Sequence, residues 1–551
     1  MKIPILPTLL ALIVTILTGL PLPALASTLV SPSSLEMLTI QEGGRKKPYL
    51  VFSEEALRSL SGKTAVTVDG TTLDAMTLVT GIWMDPSDAW KEKPLILISN
   101  RPLKQQIGLD QTRKLFSYKE LTSKQALLKE ISAAAETRRR DPRVKLKGME
   151  KEASDVGLRL GFFESLMNGE DFRILAPSQG TDWKIPQLDA QSDAVSGSQE
   201  NSEALDLTGK MHDAWVAGNQ ADFDESVQRL IKLQQTLGGL PDHWKLSLEV
   251  LYQKAHPFRW AWILYAFAGI VLLAVRGAWE RLGYRFAWIL AGSGFLLQAA
   301  GLASRVLIAG RPPVTNMYES VIWVAFGTIL FALIFEAIYR AGFFLLGAIP
   351  VAVASMILAD SQPMILDQSL HPLVPVLRDN FWLTIHVLTI TLSYAAFALS
   401  LGVAHVALAR IIAGRKPSSA IYNYLYKTLQ VGVLLLATGT ILGGVWANYS
   451  WGRFWDWDPK ETWALTALLG YLFLLHGRLS GLWGGFGLAV GAVIAFQSVL
   501  MAWYGVNFVL GAGLHSYGFG TGGFPLVATF VGCEILFLIT AVLRRKQLQA
   551  S

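Results

Sequence analysis

Residues 451–463 read Trp-Gly-Arg-Phe-Trp-Asp-Trp-Asp-Pro-Lys-Glu-Thr-Trp. Trp451, Trp455, Trp457 and Trp463 are interleaved here with Asp456, Asp458, Lys460 and Glu461, and long apolar runs lie on both sides. The stretch is therefore a short polar, aromatic connection between two membrane spans. Indoles suit a membrane–water boundary, since each has an apolar body and one polar N–H. An interfacial tryptophan belt is the plain reading. Four indoles among acids, followed by a helix-starting Asp-Pro, ask for more: a flat, large, apolar ligand with charged edges.

Outward from this stretch, apolar runs long enough to cross a bilayer occur near 258–276, 286–308, 320–339, 342–358, 381–409, 428–447, 461–477, 483–505 and 525–543. The fold class expected is an all-α polytopic membrane protein of about nine transmembrane helices, preceded by a mostly helical α+β extracytoplasmic domain. If the region before the first span is exported, alternation sorts the loops. One side collects Arg276, Arg281, Arg285, Arg340, Arg410, Arg415, Lys416, Lys427, Arg478, Arg544, Arg545 and Lys546. The other holds Arg311, Arg378, Arg453 and Lys460. That asymmetry is the positive-inside bias. It places the Trp-rich stretch, His386 and His515 on the outer face.

The chain has 551 residues, 52% hydrophobic and 16% charged, with the charge concentrated in the first half. Net charge is +6, but membrane topology accounts for many of the basic residues, so no nucleic-acid partner is implied. Cys533 is the single cysteine and sits in an apolar run. One cysteine excludes an intrachain disulfide, a thiol relay and a Cys-ligated metal centre, and a buried inert thiol is expected. Residues 1–26 carry Lys2, an apolar stretch and Ala24-Leu25-Ala26, the small-residue form of a secretory cleavage site. The stretch is also long enough for an N-terminal anchor.

Residues 27–176 are expected to form the extracytoplasmic domain. A strand, a Gly43-Gly44 turn and a helix suit 34–62, with Arg45, Lys46 and Lys47 as a solvated basic turn. A further strand is expected at 94–98 and helices within 121–175. Residues 177–204, rich in Ser, Gln, Asp and Gly, read as a flexible linker. A helical stem over 205–255 leads into the membrane domain, 256–546. No nucleophile–base set, metal spacing or phosphate loop occurs in the first half.

The Trp-rich stretch, counted from Trp446 to Trp463, resembles the WWD signature of the CcsA/ResC, CcmF and CcmC superfamily of haem-handling proteins in cytochrome c maturation. Its Trp457-Asp458-Pro459-Lys460-Glu461-x-Trp463 form is closest to the CcsA type, with Asp456 a departure where a small residue is expected. Gln41-x-Gly-Gly-Arg45-x-x-Pro48 resembles the exported region ahead of some CcsA-type domains. The resemblance implies haem b as cofactor, with His386 (Trp382-Leu383-x-x-His386-Val387) and His515 (Gly513-Leu514-His515-Ser516-Tyr517) as axial iron ligands on the outer face. It also places Tyr394 in the first motif. Neutral imidazole suits haem iron at both axial positions. Trp451, Trp455, Trp457, Asp458, Trp463 and Trp446 are expected at the haem. Arg453, Arg311 and Arg305 are candidate propionate partners, against a plain role as headgroup contacts.

His476 lies about 20 Å deeper than Trp463 along the same span. The resemblance makes it a ligand of a second, intramembrane haem. The partner histidine comes from a ResB/CcsB-like subunit, with His405 as an alternative; the plain reading of His405 is a packing residue bonded to a neighbour. His371 is a competitor for the His386 role. The implied partners are that subunit, an exported apocytochrome c with a Cys-x-x-Cys-His segment, and the lipid of a bacterial cytoplasmic membrane. The implied activity is haem export and holocytochrome c synthase chemistry. A haem-b electron-transfer subunit and a haem chaperone without ligation activity are the alternatives.

Overall fold

The computed structural model describes residues 30–550 apart from 86, 141–147, 178–180, 187–197, 276, 373–379, 511–512, 514 and 516–521. The expected signal segment, Arg276 and Arg378 lie outside these. The chain divides into two compact units, Met1–Lys254 and Ala255–Ser551.

The first unit opens on a hairpin of β1 (Thr39–Glu42) and β2 (Arg45–Pro48), turned by Gly43 and Gly44, both at positive φ. Helix α1 (Tyr49–Ser61) follows and ends on left-handed Gly62. A second hairpin pairs β3 (Ala65–Val68) with β4 (Thr71–Asp74), and Asp74 caps α2 (Ala75–Met84) through the Thr77 N–H. After α3 (Ala89–Glu92) come β5 (Pro94–Leu97), α4 (Arg101–Gln106) and β6 (Leu115–Ser117), with β5 and β6 antiparallel. Helices α5 (Tyr118–Thr122), α6 (Gln125–Arg140), α7 (Gly148–Met167), α8 (Ser198–Ala217), α9 (Gln220–Leu237) and α10 (His243–Ala255) complete it. Their apolar faces meet the hairpins in one core, in which Trp83 stacks on Phe172 at 3.8 Å.

Two expectations for this unit are corrected. The basic turn is not solvated: Lys47 is buried between Glu42 and Glu55, and Arg45 meets Glu249 at 2.6 Å. Each ion enters the interior with its counter-ion, which offsets the cost of desolvation. The linker is shorter than composition suggests. Trp183 is buried, its N–H donates to the Gln41 side chain, Leu175 bridges to Lys184, and 198–204 belong to α8.

The second unit contains α11 (Pro257–Ala274), α12 (Glu280–Ala309), α13 (Met317–Tyr339), α14 (Phe343–Ser361), α15 (Asn380–Ile412), α16 (Ser419–Trp451), α17 (Pro459–Leu479), α18 (Gly485–Leu500) and α19 (Phe524–Ala550). Among the described residues eight helices are long and apolar enough to cross a membrane. The ninth expected span, α17, is not among them. Its first turn carries Lys460 and Glu461 and its last His476 and Arg478, although its 21 residues would reach about 30 Å, a hydrocarbon core's thickness. Cys533 is exposed on α19, not buried.

Small residues and buried polar bonds hold the bundle together, as lipid offers little hydrophobic drive between helices. Helices α14 and α15 cross where Gly347 meets Gly402; a Cβ on Gly402 would lie 2.1 Å from the Gly347 carbonyl oxygen. Gln298 on α12 accepts from Tyr265 at 2.8 Å and donates to the Ile322 carbonyl at 3.0 Å, tying α11, α12 and α13.

At one end of the bundle Glu319 takes two guanidinium groups. Arg305 reaches it at 2.8 Å and Arg311 at 2.9 Å, both nearly buried. The same arginines donate to the Gln368 and His371 carbonyls, so the cluster anchors the 310–316 and 362–371 loops.

Two outcomes test this packing. Gly402→Leu should abolish a monodisperse, folded peak in size-exclusion chromatography, while Gly470→Ala, where a Cβ meets open space, leaves it unchanged. Glu319→Ala strands two buried guanidinium groups. The expected loss of roughly 3–5 kcal/mol should appear as an early unfolding transition in denaturant titrations.

Candidate functional site: two imidazoles around an indole

Helix α15 carries His386 in its second turn, beside Gly443 of α16. A Cβ on Gly443 would lie 2.6 Å from the imidazole, so only glycine lets the helices approach here. His386 Nδ1 is 2.7 Å from the Gly439 carbonyl oxygen. A carbonyl only accepts, so Nδ1 carries the proton and Nε2 keeps the lone pair.

His515 reaches the same place from the segment after α18. Its Nδ1 is 2.8 Å from Asp458 Oδ1, and the Asp458 side chain is 2% exposed. An ionised carboxylate accepts only, so the same tautomer results, with Nε2 the basic nitrogen. Asp458 Oδ1 also accepts the Lys460 N–H as the N-cap of α17, and Glu461 closes the capping box. The residue before the cap, Trp457, sits at φ +57, a left-handed conformation costing a non-glycine residue roughly 1–2 kcal/mol. That turn sets the direction of the corner.

Trp446 packs against both imidazoles. It is parallel to His386 within 8° at 6.4 Å, and 6.1 Å from His515. Trp451 packs edge-on against both Trp446 and His515, at 4.6 and 5.0 Å. His386, His515 and Trp446 border a cavity of about 1300 Å³, its solvent-open mouth included, with Trp451 packed outside the lining. His386, His515, Trp446, Phe454, Trp455, Tyr394, Gly443, Gly444, Lys460 and Trp503 line it. A ten-residue π-helix, Met501–Leu510, continues α18 and brings Trp503 and Asn507 to the wall. Such turns are frequent at functional sites. Among the described residues, Asn507 Oδ1 and Trp446 Nε1 are buried without a hydrogen-bond partner. A site with two basic imidazole nitrogens, flat apolar walls and unsatisfied polar atoms fits a haem.

The other expected residues separate. Trp457 is 68% exposed and does not line the cavity; it meets Trp455 edge-on at 5.8 Å. Trp463 is half-buried outside the lining. Asp456 is exposed and 3.4 Å from Arg453. The three candidate arginines are bound to acids rather than lining the cavity: Arg305 and Arg311 to Glu319, Arg453 to Glu461 at 3.2 Å. Glu319 was what the sequence did not reveal, since nothing in it pairs this acid with the two arginines 14 and 8 residues before it.

His371 is exposed and bonded to Asp367 at 2.7 Å, away from the cavity lining. Burial pushes the Asp367 carboxyl up, but the His371 bond and the Ser369 N–H outweigh it and hold the carboxyl down to about 2. His405 is unsuited to ligation as it stands. Its Nδ1 lies 2.8 Å from the Leu401 carbonyl and its Nε2 2.9 Å from Glu534, both acceptors when Glu534 is ionised, so neither nitrogen offers a lone pair. His476 Nδ1 bonds the Leu472 carbonyl at 2.8 Å, which leaves Nε2 basic on an exposed ring. Lys460 is the lining residue that the sequence reading passed over. Its signal was a cation in the first turn of a helix, where the dipole disfavours one.

The Cytochrome C assembly protein family matches residues 314–515, which contain every lining residue of this cavity except Pro312. Protein NrfI of Wolinella succinogenes is 30% identical over 519 residues, 88% of this chain and 54% of that protein. The chain thus spans about half of NrfI's length. The cytochrome c biogenesis protein CcsA of Guillardia theta is 35% identical over 246 residues, 39% of this chain and 80% of that protein. CcsA of a Synechococcus strain is 36% identical over 260 residues, 40% of this chain and 83% of that protein. With CcsA matched over most of its length and the assembly family over the cavity itself, this multi-pass membrane chain belongs to the CcsA-type cytochrome c biogenesis family.

Proposed function

We propose that the cavity holds haem b between His386 and His515 and presents it on the outer face of a bacterial cytoplasmic membrane to an exported apocytochrome c. One observation carries this reading: two imidazoles from distant parts of the chain flank one indole, each with Nδ1 engaged by an acceptor and Nε2 basic. When bound, haem supplies two vinyl groups, each of which takes up one substrate thiol's S–H with no net oxidation, the sulfur going to one carbon and the hydrogen to the other.

This chain's residues bind and orient. Gly439 and Asp458 fix the two tautomers, so neither ring has to reorient before ligation. The carboxylate behind His515 makes that nitrogen the stronger donor; the carbonyl behind His386 polarises its ring less. The difference makes His386 the weaker ligand, the one to yield to the histidine of the substrate's Cys-x-x-Cys-His segment. Trp446 and Trp455 wall the porphyrin and exclude water, and Trp451, off the lining, packs against Trp446 and His515. His476, basic at Nε2 on an exposed ring, serves a second haem with a histidine from a ResB/CcsB-like subunit. The His405–Glu534 bond favours that source over His405 itself. A holocytochrome c synthase acting with such a subunit is the resulting activity.

Haem copurifying with the chain should show a bis-imidazole spectrum that is lost in His386→Ala and His515→Ala; unchanged spectra in both would remove the outer site. Asp458→Asn retains a good helix cap while weakening the support behind His515. Its haem affinity should fall on the order of 10–100-fold in an optical titration. If the chain and a ResB-like partner yield no haem-stained cytochrome c in a host lacking its own maturation system, the synthase reading is lost.

A further inference from the structure

Cations near this end of the bundle are mostly committed. Arg305 and Arg311 share Glu319, and Arg453 is held by Glu461 and Asp456. Lys460 differs. It lines the cavity with His386, His515, Trp446 and Trp455, and among the described residues no carboxylate oxygen lies within 4.0 Å of its amine.

The acids closest to it in sequence are spoken for. Glu461 Oε1 meets Arg453, and its Oε2 accepts the Asp456 and Asp458 N–H groups. Asp458 Oδ1 takes the Lys460 backbone N–H and His515. The Lys460 ammonium therefore faces a cavity walled largely by indole, phenyl and aliphatic groups, and it does so from the first turn of α17, the positive end of the helix dipole. Desolvation and dipole both oppose a charged amine there. Asp458 compensates the amine only at longer range, without a direct ion pair, and Glu461, which also lines the cavity, is engaged by Arg453. A position that breaks two local rules with so little internal compensation marks a functional site, and the fuller compensation is an anion brought by the ligand.

We propose that Lys460 is the carboxylate-receiving residue of this cavity, pairing with an acid group of the ligand and selecting for a porphyrin that carries one. This rests on the haem reading above, in which the acid group is a propionate. The cavity then grips its ligand at two places, the iron between the imidazoles and a carboxylate on Lys460, and the second grip fixes which edge of the flat molecule faces α17. Lysine contributes a single point charge instead of a guanidinium fork, so it holds the edge without imposing a bidentate geometry.

The test compares haem with its dimethyl ester, which keeps the iron and loses the acid charge. Both are titrated optically into the detergent-solubilised full chain and into Lys460→Met, Lys460→Gln and Lys460→Arg variants. The wild type should bind free-acid haem about tenfold more tightly than the ester, equivalent to about 1.4 kcal/mol. Lys460→Met and Lys460→Gln should bind both forms with the ester's affinity and keep the bis-imidazole spectrum, while Lys460→Arg recovers the preference. Equal wild-type affinity for the two forms overturns the proposal without recourse to any variant. So does a preference for the free acid that survives in both neutral variants. Loss of the haem reading itself shows differently, as His386→Ala and His515→Ala spectra indistinguishable from wild type.

Discussion

The bond from His515 Nδ1 to Asp458 Oδ1 joins the segment after α18 to the start of α17, across 57 residues of sequence. The same oxygen begins α17 by accepting the Lys460 N–H. One carboxylate therefore sets where a helix starts and which nitrogen of an imidazole is basic. The space around it is tight. A Cβ on Gly513 would lie 2.2 Å from Asp458 Oδ2, so the glycine two residues before the histidine lets the segment close on the carboxylate. Cap, tautomer and close approach depend on one another, and the proposed haem site inherits its geometry from all three.

A second constraint is the price of burying charge. In this unit Glu319 neutralises two arginines, Glu461 and Asp456 a third, and Glu534 meets His405. Each pairing removes a side chain that an isolated reading would offer to a ligand, because a group that must be compensated inside the protein is not available outside it. Glycine has the matching role for shape. Gly347 and Gly402 bring α14 onto α15, and Gly443 and Gly444 let α16 pass close to His386 and Phe454.

Membership in the CcsA-type family connects this architecture to cytochrome c biogenesis, while the proposed export and presentation of haem rest on the arrangement of side chains. The two proposed ligands are built unequally, His386 from a long helix against a carbonyl, His515 from a connecting segment against a carboxylate. Unequal supports suit a carrier that has to release its cargo more than a protein that keeps it.

Much was legible in the chain alone. Runs of apolar residues of membrane length, the Gly43-Gly44 hairpin, the Asp458-Pro459 helix start and the clustering of tryptophan with His386 and His515 follow from periodicity, turn chemistry and motif. These are local properties, or short words that carry their own physics. What the sequence could not settle was allocation. That Trp446 rather than Trp457 packs against both imidazoles depends on where a left-handed residue turns the chain. That Lys47 is buried and Arg45 is paired with Glu249, and that the cavity's lining cation is Lys460 while Arg305 and Arg311 are bound to Glu319, depends on partners up to about 200 residues distant. Charge and coordination are satisfied pairwise in space, so only the packed bundle decides which cation meets an acid of its own and which is left to meet a ligand.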